Sequence, residues 1–480
     1  MAIALYTSRI VLQVLGASDY GLYSVVGGIV TMFSMFSSSL VSGTQRFLTF
    51  SIGEKNNEKL KKVFSVALLL DTLVALFLMF FAEVIGMWFL NTQMTIPEGR
   101  MFAAICVFQI SVLTFCLHII QIPFMSSIIA HEDMHIYAYM SIYEVIMKLL
   151  IVFLIQSSNS DKLIFYAVLV FAVQCSTFIL YCFYCKRKYR ECILQLTWNK
   201  ALFKEMLTFN GWSILGGASG FASGQGINLL LNVFFDTVVN AAKGISSTIN
   251  NYVAGFVTNF QMAANPQIVK LYAAKENDQL YSLIVNNSRA AGYLFLVIAI
   301  PVSLEISHIL GLWLGEYPQY TEIFTILVFL QSFPYSIDRP LVTLINATGK
   351  VKWYNLTSGI WILLILPVGY VLLKMGCTPV APCLACALMW MIQLFWTAIF
   401  ANRYSKIPMK LIFKDIYINV FIGGILMLSI PLLVRFQMPD GWLRFIIVCC
   451  ISGGTSLLVL YFWGMTPGMK KFFLSKVCKH

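Results

Sequence analysis

The chain has 480 residues, 59% of them hydrophobic and 11% charged, with a mean hydropathy of +0.80. Soluble domains carry about 25% charged residues, so these figures exclude a water-soluble globular protein and require a membrane protein with many spans. The formal charge of +12 would suggest nucleic acid in a soluble chain; here basic loops on one side of a membrane explain it, and no nucleic-acid partner is expected.

The opening stretch, MAIALYTSRIVLQVLGASDYG, is read as a helix near 1–15. It has neither the basic leader nor the small-x-small site of a cleavable signal peptide. Only about fifteen residues precede Gly16, where about 20 are needed to cross a bilayer, and Arg9 sits near their middle. Further apolar runs predict spans near 19–43, 63–90, 101–130, 137–156, 163–185, 208–235, 240–263, 289–314, 322–346, 355–375, 379–401, 415–435 and 442–465. Of the 33 Lys and Arg residues, 24 fall in one set of loops and 5 in the other. The first set marks the cytoplasmic side, which then holds both termini. Arg9, Lys148, Lys243 and Arg339 remain, within or at the margins of spans.

An internal repeat organises these spans. SIIAHEDMHIYAYMS (127–141) lies over LINATGKVKWYNLTS (344–358), with Ala130 on Ala347, Tyr137 on Tyr354, Ser141 on Ser358 and, upstream, Pro123 on Pro340. GEKNNEKLKKVFS (53–65) lies over AAKENDQLYSLIV (273–285). A six-helix unit used twice, with two helices added, is expected: an all-α polytopic membrane protein of about 14 transmembrane helices, built as two pseudo-symmetric six-helix lobes plus two C-terminal helices. The divisions are 1–205, 206–402 and 403–480. Such repeats are a sequence sign of secondary transporters. The repeat puts the start of the first span upstream of Met1, so the expectation is a first helix lacking roughly a dozen residues. Arg9 would then lie in its outer half, able to point into a cavity.

Polar residues inside spans divide between packing and function. Ser24, Thr31, Ser34, Ser38 and Ser42 share one face of the second span, Gln225, Asn228 and Asn232 one face of the seventh, and Lys243, Ser247, Asn250 or Asn251, and Ala254 one face of the eighth. They are read either as interhelical hydrogen bonds or as the wall of a wet cavity. Gly216, Gly220 and Gly224 form a small-xxx-small row, read first as close helix packing and second as a flexible gate. Glu144 and Lys148, four residues apart, can neutralise each other, and Asp338 and Arg339 precede Pro340, where a pairing role competes with substrate contact. Arg9 and Lys243 have no local acid and are the candidates for meeting a buried anion, for which arginine offers a two-pronged grip and lysine a point charge. Arg46, ending the second span, is read as an interfacial anchor or a head-group contact. Asp71 joins Glu144, Lys148, Asp338 and Arg339 as an ion-coupling or structural candidate.

Absent features narrow the field. There is no G-x-x-x-x-G-K-[ST] loop for ATP and no loop long enough for a catalytic domain. Neither an H-E-x-x-H zinc helix nor a pair of catalytic carboxylates stands out. The C-x-x-C pairs Cys182/Cys185 and Cys383/Cys386 lie on or at the ends of spans without histidines at zinc spacing, so no metal site is expected.

The segments LYTSRIVLQVLGASDYGLYSVVGGIV…TQRFLTFSIGEKN and NGWSILGGASGFASGQGINLLLNVFFDTVVNAAKGISSTINNYVAGFVTNFQMAANPQIVKLYAA resemble the polysaccharide-biosynthesis flippases of the multidrug/oligosaccharidyl-lipid/polysaccharide (MOP) exporter superfamily, especially the O-antigen and capsule branch. The resemblance covers essentially the whole chain. It implies a MATE-like, V-shaped pair of lobes in the bacterial inner membrane. It also implies a transporter, not an enzyme, that moves an undecaprenyl-diphosphate-linked oligosaccharide (an O-antigen unit for lipopolysaccharide, or a capsule unit) between leaflets. Related lipid II flippases use cations on the first, second and eighth helices, where Arg9, Arg46 and Lys243 stand here. Membrane lipid, a polysaccharide polymerase and chain-length proteins are the further partners implied; no cofactor is, and H+ or Na+ coupling stays open. A lipid II flippase or a drug/cation antiporter on the same scaffold is the alternative. The antiporters often carry a coupling aspartate on the first helix, and residues 1–15 hold no acid.

Overall fold

Hydrocarbon offers no hydrogen-bond partner to a backbone N–H or C=O, so a chain crosses it as helices or as a closed barrel. The computed structural model describes residues 10, 14, 23, 33–92, 99–156, 161–192, 199–235 and 237–465. Every regular element among them is helical, and nine helices are long and apolar enough to cross a membrane. The protein is an all-α, multi-pass membrane protein. Its chain forms two compact units, residues 1–217 and 218–480.

In the first unit, α1 spans Ser34–Gly53 and α2 Asn57–Phe81, which runs on through a π-helical turn, Ala82–Gly86, to Thr92. Then follow α3 (Met101–Ala130), α4 (Met134–Gln156) and α5 (Lys162–Lys188). Start signals are local: Asn56 caps α2 by accepting from the amide of Lys59, and Asp161 caps α5 by accepting from that of Leu163. Val14, the described part of the first span, rests against the cluster of Ile151, Ile155 and Val173. The long α6 (Lys200–Phe234) passes from the first unit into the second.

The second unit continues with α7 (Thr237–Ala273), α8 (Asn277–Leu304), α9 (Ile306–Leu314), α10 (Thr321–Thr348), α11 (Lys352–Leu363), α12 (Ile365–Lys374) and α13 (Val380–Ser405). A π-helical segment, Leu411–Ile418, leads into α14 (Asn419–Gln437), and α15 (Trp442–Val459) closes the unit. The helix starts bear out the repeat. Asn57 and Asn277, like Met101 and Thr321, are 220 apart; Met134 and Lys352, like Lys162 and Val380, are 218 apart. Even the irregularities match: the π-turn at 82–86 in α2 falls at the position of the break between α8 and α9 at Glu305.

Several predicted boundaries move: α1 and α7 run on to Gly53 and Ala273 instead of ending near 43 and 263, α6 starts at Lys200 instead of 208, and the ninth span shifts furthest. The span expected from 289 begins at Asn277, because Arg289 lies inside the helix instead of marking its end. Its guanidinium donates to the backbone carbonyl of Asp415 and stands 3.3 Å from the Asp415 carboxylate. A charge so neutralised can sit within a span.

Helix contacts follow the rule for lipid, where packing and small residues replace the hydrophobic drive. The phenol of Tyr293 occupies the space where a side chain at Gly423 would begin, and it donates to the carbonyl of Asn419 at 3.0 Å. Arg444 of α15 grips Glu305 with two bonds of 3.1 Å. Three polar contacts thus fasten the last two helices along α8. Removing one partner of a buried ion pair costs about 3–5 kcal/mol, whereas replacing both by apolar groups is often neutral. Arg444→Leu therefore lowers the thermal unfolding midpoint sharply, and Glu305→Leu/Arg444→Leu recovers most of the loss; equal loss in both variants would show that the pair itself supplies the stability.

The corner between α3 and α4 holds a polar clasp. Lys188 Nζ donates to Asp133 at 2.7 Å, Tyr189 donates to the same carboxylate, and the Tyr189 ring stacks on His131 at 4.4 Å. Burial alone would raise the Asp133 carboxyl, but the bonds from Lys188 and Tyr189 outweigh it and hold it below its ordinary 3.8. A depressed carboxylate adds stability above its unfolded pKa and loses it as pH falls through the lower folded value. Protection of the 131–135 amides, taken relative to their intrinsic exchange at each pH, is accordingly high at neutral pH and falls only in acid below about pH 4. Asp133→Asn exchanges faster already at pH 7, and equal rates there would mean that the clasp contributes nothing.

Candidate functional site: the polar faces within each unit

Lipid-facing and water-facing surfaces separate by chemistry. On α4 the uncovered side is Ile142, Val145, Ile146, Leu150, Phe153 and Leu154, which suits hydrocarbon. On α7 the exposed residues are mixed: Gly244, Asn251, Thr258 and Asn259 are uncovered, with Thr248 and Gly255 half-buried in the same stripe, and Val238, Ala241, Phe256 and Phe260 are exposed beside it. The steps of four, three, four and three from 244 to 258 keep one helical face. The hydroxyls of Thr248 and Thr258 donate to the Gly244 and Ala254 carbonyls of their own helix; the exposed amides of Asn251 and Asn259 are the groups that call for water, since burying an amide without a partner costs several kcal/mol. On α6, Gln225 and Asn232 are exposed and Asn228 is half-buried, its amide 3.4 Å from the Gln225 carbonyl. The long helices α6, α7 and α10 fall outside the nine most apolar crossings, so the polar residues concentrate on particular helices.

The open stripe of α7 lies one position beyond the face read from the sequence. Lys243 is only 8% exposed, and its ammonium is within hydrogen-bonding reach of Cys383 and near Cys386 on α13. Ser247 donates to the carbonyl of Lys243 in its own helix. Asn250 is half-buried, with a carbonyl oxygen that has no hydrogen-bond partner among the described residues; Asn228 carries another. Lys243 makes no ion pair among the described residues. It is therefore a buried cation set against a thiol pair, behind the stripe and not on it. The C-x-x-C spacing showed that Cys383 and Cys386 share a helical face; nothing in it announced the lysine.

In the first unit, Arg46 is buried near the end of α1. Its guanidinium lies 4.4 Å from the ring of Phe47, 5.2 Å from Phe50 and 5.5 Å from Phe209, with Glu205 at 3.8 Å. Gly43 makes this possible. A Cβ there would sit 1.8 Å from Asn210 Oδ1, so only glycine lets α6 approach closely enough to bring Phe209 to the arginine. Arg9 lies outside the described residues.

The remaining candidates have defined places. Lys148 donates to Glu144 at 2.6 Å, the pairing expected from their spacing. Asp338 accepts from Tyr417 at 2.6 Å, and Arg339 turns away to lie 5.4 Å from the ring of Tyr335. Asp71 is fully buried on α2. Glu83, an acid that the span analysis passed over, sits on the π-turn of α2 and accepts from Gln109 at 2.7 Å. A Cβ at Gly220 or Gly224 would meet nothing within 4 Å among the described residues, so no described helix packs closely at those two glycines. Residues 131–135 spell H-E-x-x-H and correct the expectation that no such string is present. It is no zinc helix: Glu132 has φ of 63°, breaking the helix between the two histidines, and Glu191 takes His131 Nε2 at 2.5 Å. No metal-binding group of three side chains occurs among the described residues.

The architecture is that of the MOP-superfamily transporters. A solved outward-facing MATE multidrug-resistance transporter of that superfamily aligns with a TM-score of 0.71 at 11% identity, over 85% of this chain and 93% of that one. A MOP-superfamily transporter from Pyrococcus furiosus, noted for the reverse polarity of its binding pocket, gives 0.69 at 12%, over 85% and 93%. A mutant of the Vibrio cholerae MATE transporter VcmN gives 0.69 at 16%, over 86% and 94%. No curated protein sequence matches the chain. The polysaccharide biosynthesis protein family matches residues 1–270, more than half of the sequence, and the chain belongs to that family.

A hydrophilic maleimide reads the wet face directly, because thiols react in water and not in hydrocarbon. Cysteines placed at 248, 251, 255 and 258 in a cysteine-free background label rapidly, while those at 253 and 257, 5% and 2% exposed in the native chain, do not. Uniform labelling, or none at the first four, would remove the stripe.

Proposed function

We propose that the protein is a flippase that carries an undecaprenyl-diphosphate-linked oligosaccharide, an O-antigen or capsule repeat unit, across the bacterial inner membrane, with both termini cytoplasmic. The observation that carries this reading is the uncovered amide and hydroxyl stripe of α7 in a chain of the polysaccharide biosynthesis family. A sugar head group cannot shed its water into hydrocarbon. Asn251, Thr258 and Asn259, with Gln225 and Asn232 of α6, replace that water with donors and acceptors while the prenyl tail stays in lipid.

The diphosphate needs positive charge as well as hydrogen bonds. Arg46 offers a planar fork held flat among aromatic rings, and Lys243 offers a charge unmatched by any carboxylate among the described residues. Arg9 completes the set in this reading. Transport proceeds by alternating access, with the glycine-rich stretch of α6 as a yielding point, and H+ or Na+ supplies the drive. A polysaccharide polymerase and its chain-length proteins take up the product.

Losing one charge-assisted hydrogen bond, about 1.5–3 kcal/mol, weakens diphosphate binding at least about tenfold. In a flippase-null strain, wild type restores surface glycan. Arg9→Ala and Lys243→Ala instead leave lipid-linked repeat units on the cytoplasmic leaflet. Normal export by both variants would end the anion-site part. Cells cleared of cationic dyes, with no effect on glycan, would favour a drug antiporter.

A further inference from the structure

Asp71 is the one buried carboxylate whose chemistry neither the packing nor the proposed sugar path uses. It is the fifteenth residue of a 30-residue crossing, Asn57–Gly86, and so stands near mid-membrane. Its exposure is 0%, and neither carboxylate oxygen has a hydrogen-bond partner among the described residues. Thr44 of α1, also fully buried, presents its hydroxyl to it. No cation among the described residues pairs with it. Arg46 of α1 turns to the rings of Phe47, Phe50 and Phe209 and to Glu205. On α3 the ring of His118 turns to Ser37 at 3.4 Å, and in the 190–192 turn Glu191 is taken by His131.

The second unit supplies the control. With Asn57 matched to Asn277, Asp71 falls on Ala291, also fully buried. The repeat packs there without a polar group. The second unit's own buried acid, Asp338, differs in having its partner: Tyr417 donates to it at 2.6 Å. By the Pro123–Pro340 match, the first unit has the neutral amide Gln121 at that place, accepting from Gln174 at 2.9 Å. Among the described residues, the span acids Glu83, Glu144 and Asp338 each accept from a donor in bonding geometry, and Asp71 does not.

An ionised carboxylate with no partner cannot persist in that setting. We propose that Asp71 is a proton-binding site of the first unit, holding a proton in the state seen here and releasing it when the unit opens to water. Uptake forms one O–H bond on a carboxylate oxygen with a proton from solution; release breaks that bond and returns the proton to water. One carboxyl and one hydroxyl suffice for a proton, whereas a metal cation needs several more oxygens. The site extends the transport reading and rests on it for purpose, not for chemistry.

The test is infrared difference spectroscopy on purified full-length protein in lipid nanodiscs, with no sugar lipid added. Wild type shows a protonated-carboxyl band at neutral pH that disappears on alkaline titration. All variants carry Asp338→Asn as background, so that this second buried carboxyl adds no band of its own; the background keeps the band, and adding Asp71→Asn removes it. Asp71→Ala serves as a second variant, since alanine occupies the matching position in the second unit. A band that survives in Asp71→Asn and Asp71→Ala, that never titrates, or that Na+ removes at fixed pH overturns the proposal. In cells, Asp71→Asn makes glycan export independent of the pH gradient; unchanged dependence counts against the site. A wild type that exports no glycan but shows the titrating band removes the flippase reading and leaves the proton site standing.

Discussion

Hydrocarbon solvates neither a peptide group nor a charge, and the rest of the structure follows from that constraint. The backbone satisfies itself by coiling, so every described regular element is a helix. Side chains have no such internal solution. Each polar group at membrane depth must find a partner in the chain, reach water, or stay neutral. Arg444 with Glu305 shows the first and the exposed amides along α7 the second; the third is what we propose for Asp71.

These outcomes also separate structural charges from those available for work. Glu144 with Lys148, Arg289 with Asp415 and Glu305 with Arg444 are neutralised within the chain. Lys243 is buried beside thiols with no such counter-charge among the described residues, and Arg46, with Glu205 at 3.8 Å, has aromatic faces around most of its guanidinium. A cation already desolvated by aromatic and sulfur neighbours has little hydration left to surrender on meeting an anion.

Much of the fold is legible in the sequence because apolar runs and polar breaks report the same constraint. The repeat was visible at Pro123 and Pro340 and reappears in the matched helix starts. Register and partners were harder to read. Arg289 has the look of an interface marker, and only the fold reveals that Asp415, far along the chain, receives it. Arg46 at the end of its span suggested an anchor, yet Gly43 brings α6 close enough to enclose it. On α7, Lys243 and Gly244 differ by one position, about 100° on a helix, and periodicity alone cannot choose between neighbouring stripes when both carry polar residues. Lys243 drew attention by its charge, while the uncovered face belongs to smaller groups at 244, 248, 251, 255 and 258.

The segment before α14 has a bearing on how such a chain could have arisen. Asp415, Tyr417 and Asn419 reach back to Arg289 and Tyr293 of α8 and to Asp338 of α10. A shorter ancestor ending near residue 402 would strand a guanidinium, a phenol and a carboxylate inside the bilayer. Duplication of a six-helix unit can therefore have preceded the added pair only if those three positions then held other residues. They are the places where the history of the second unit should differ most from that of the first.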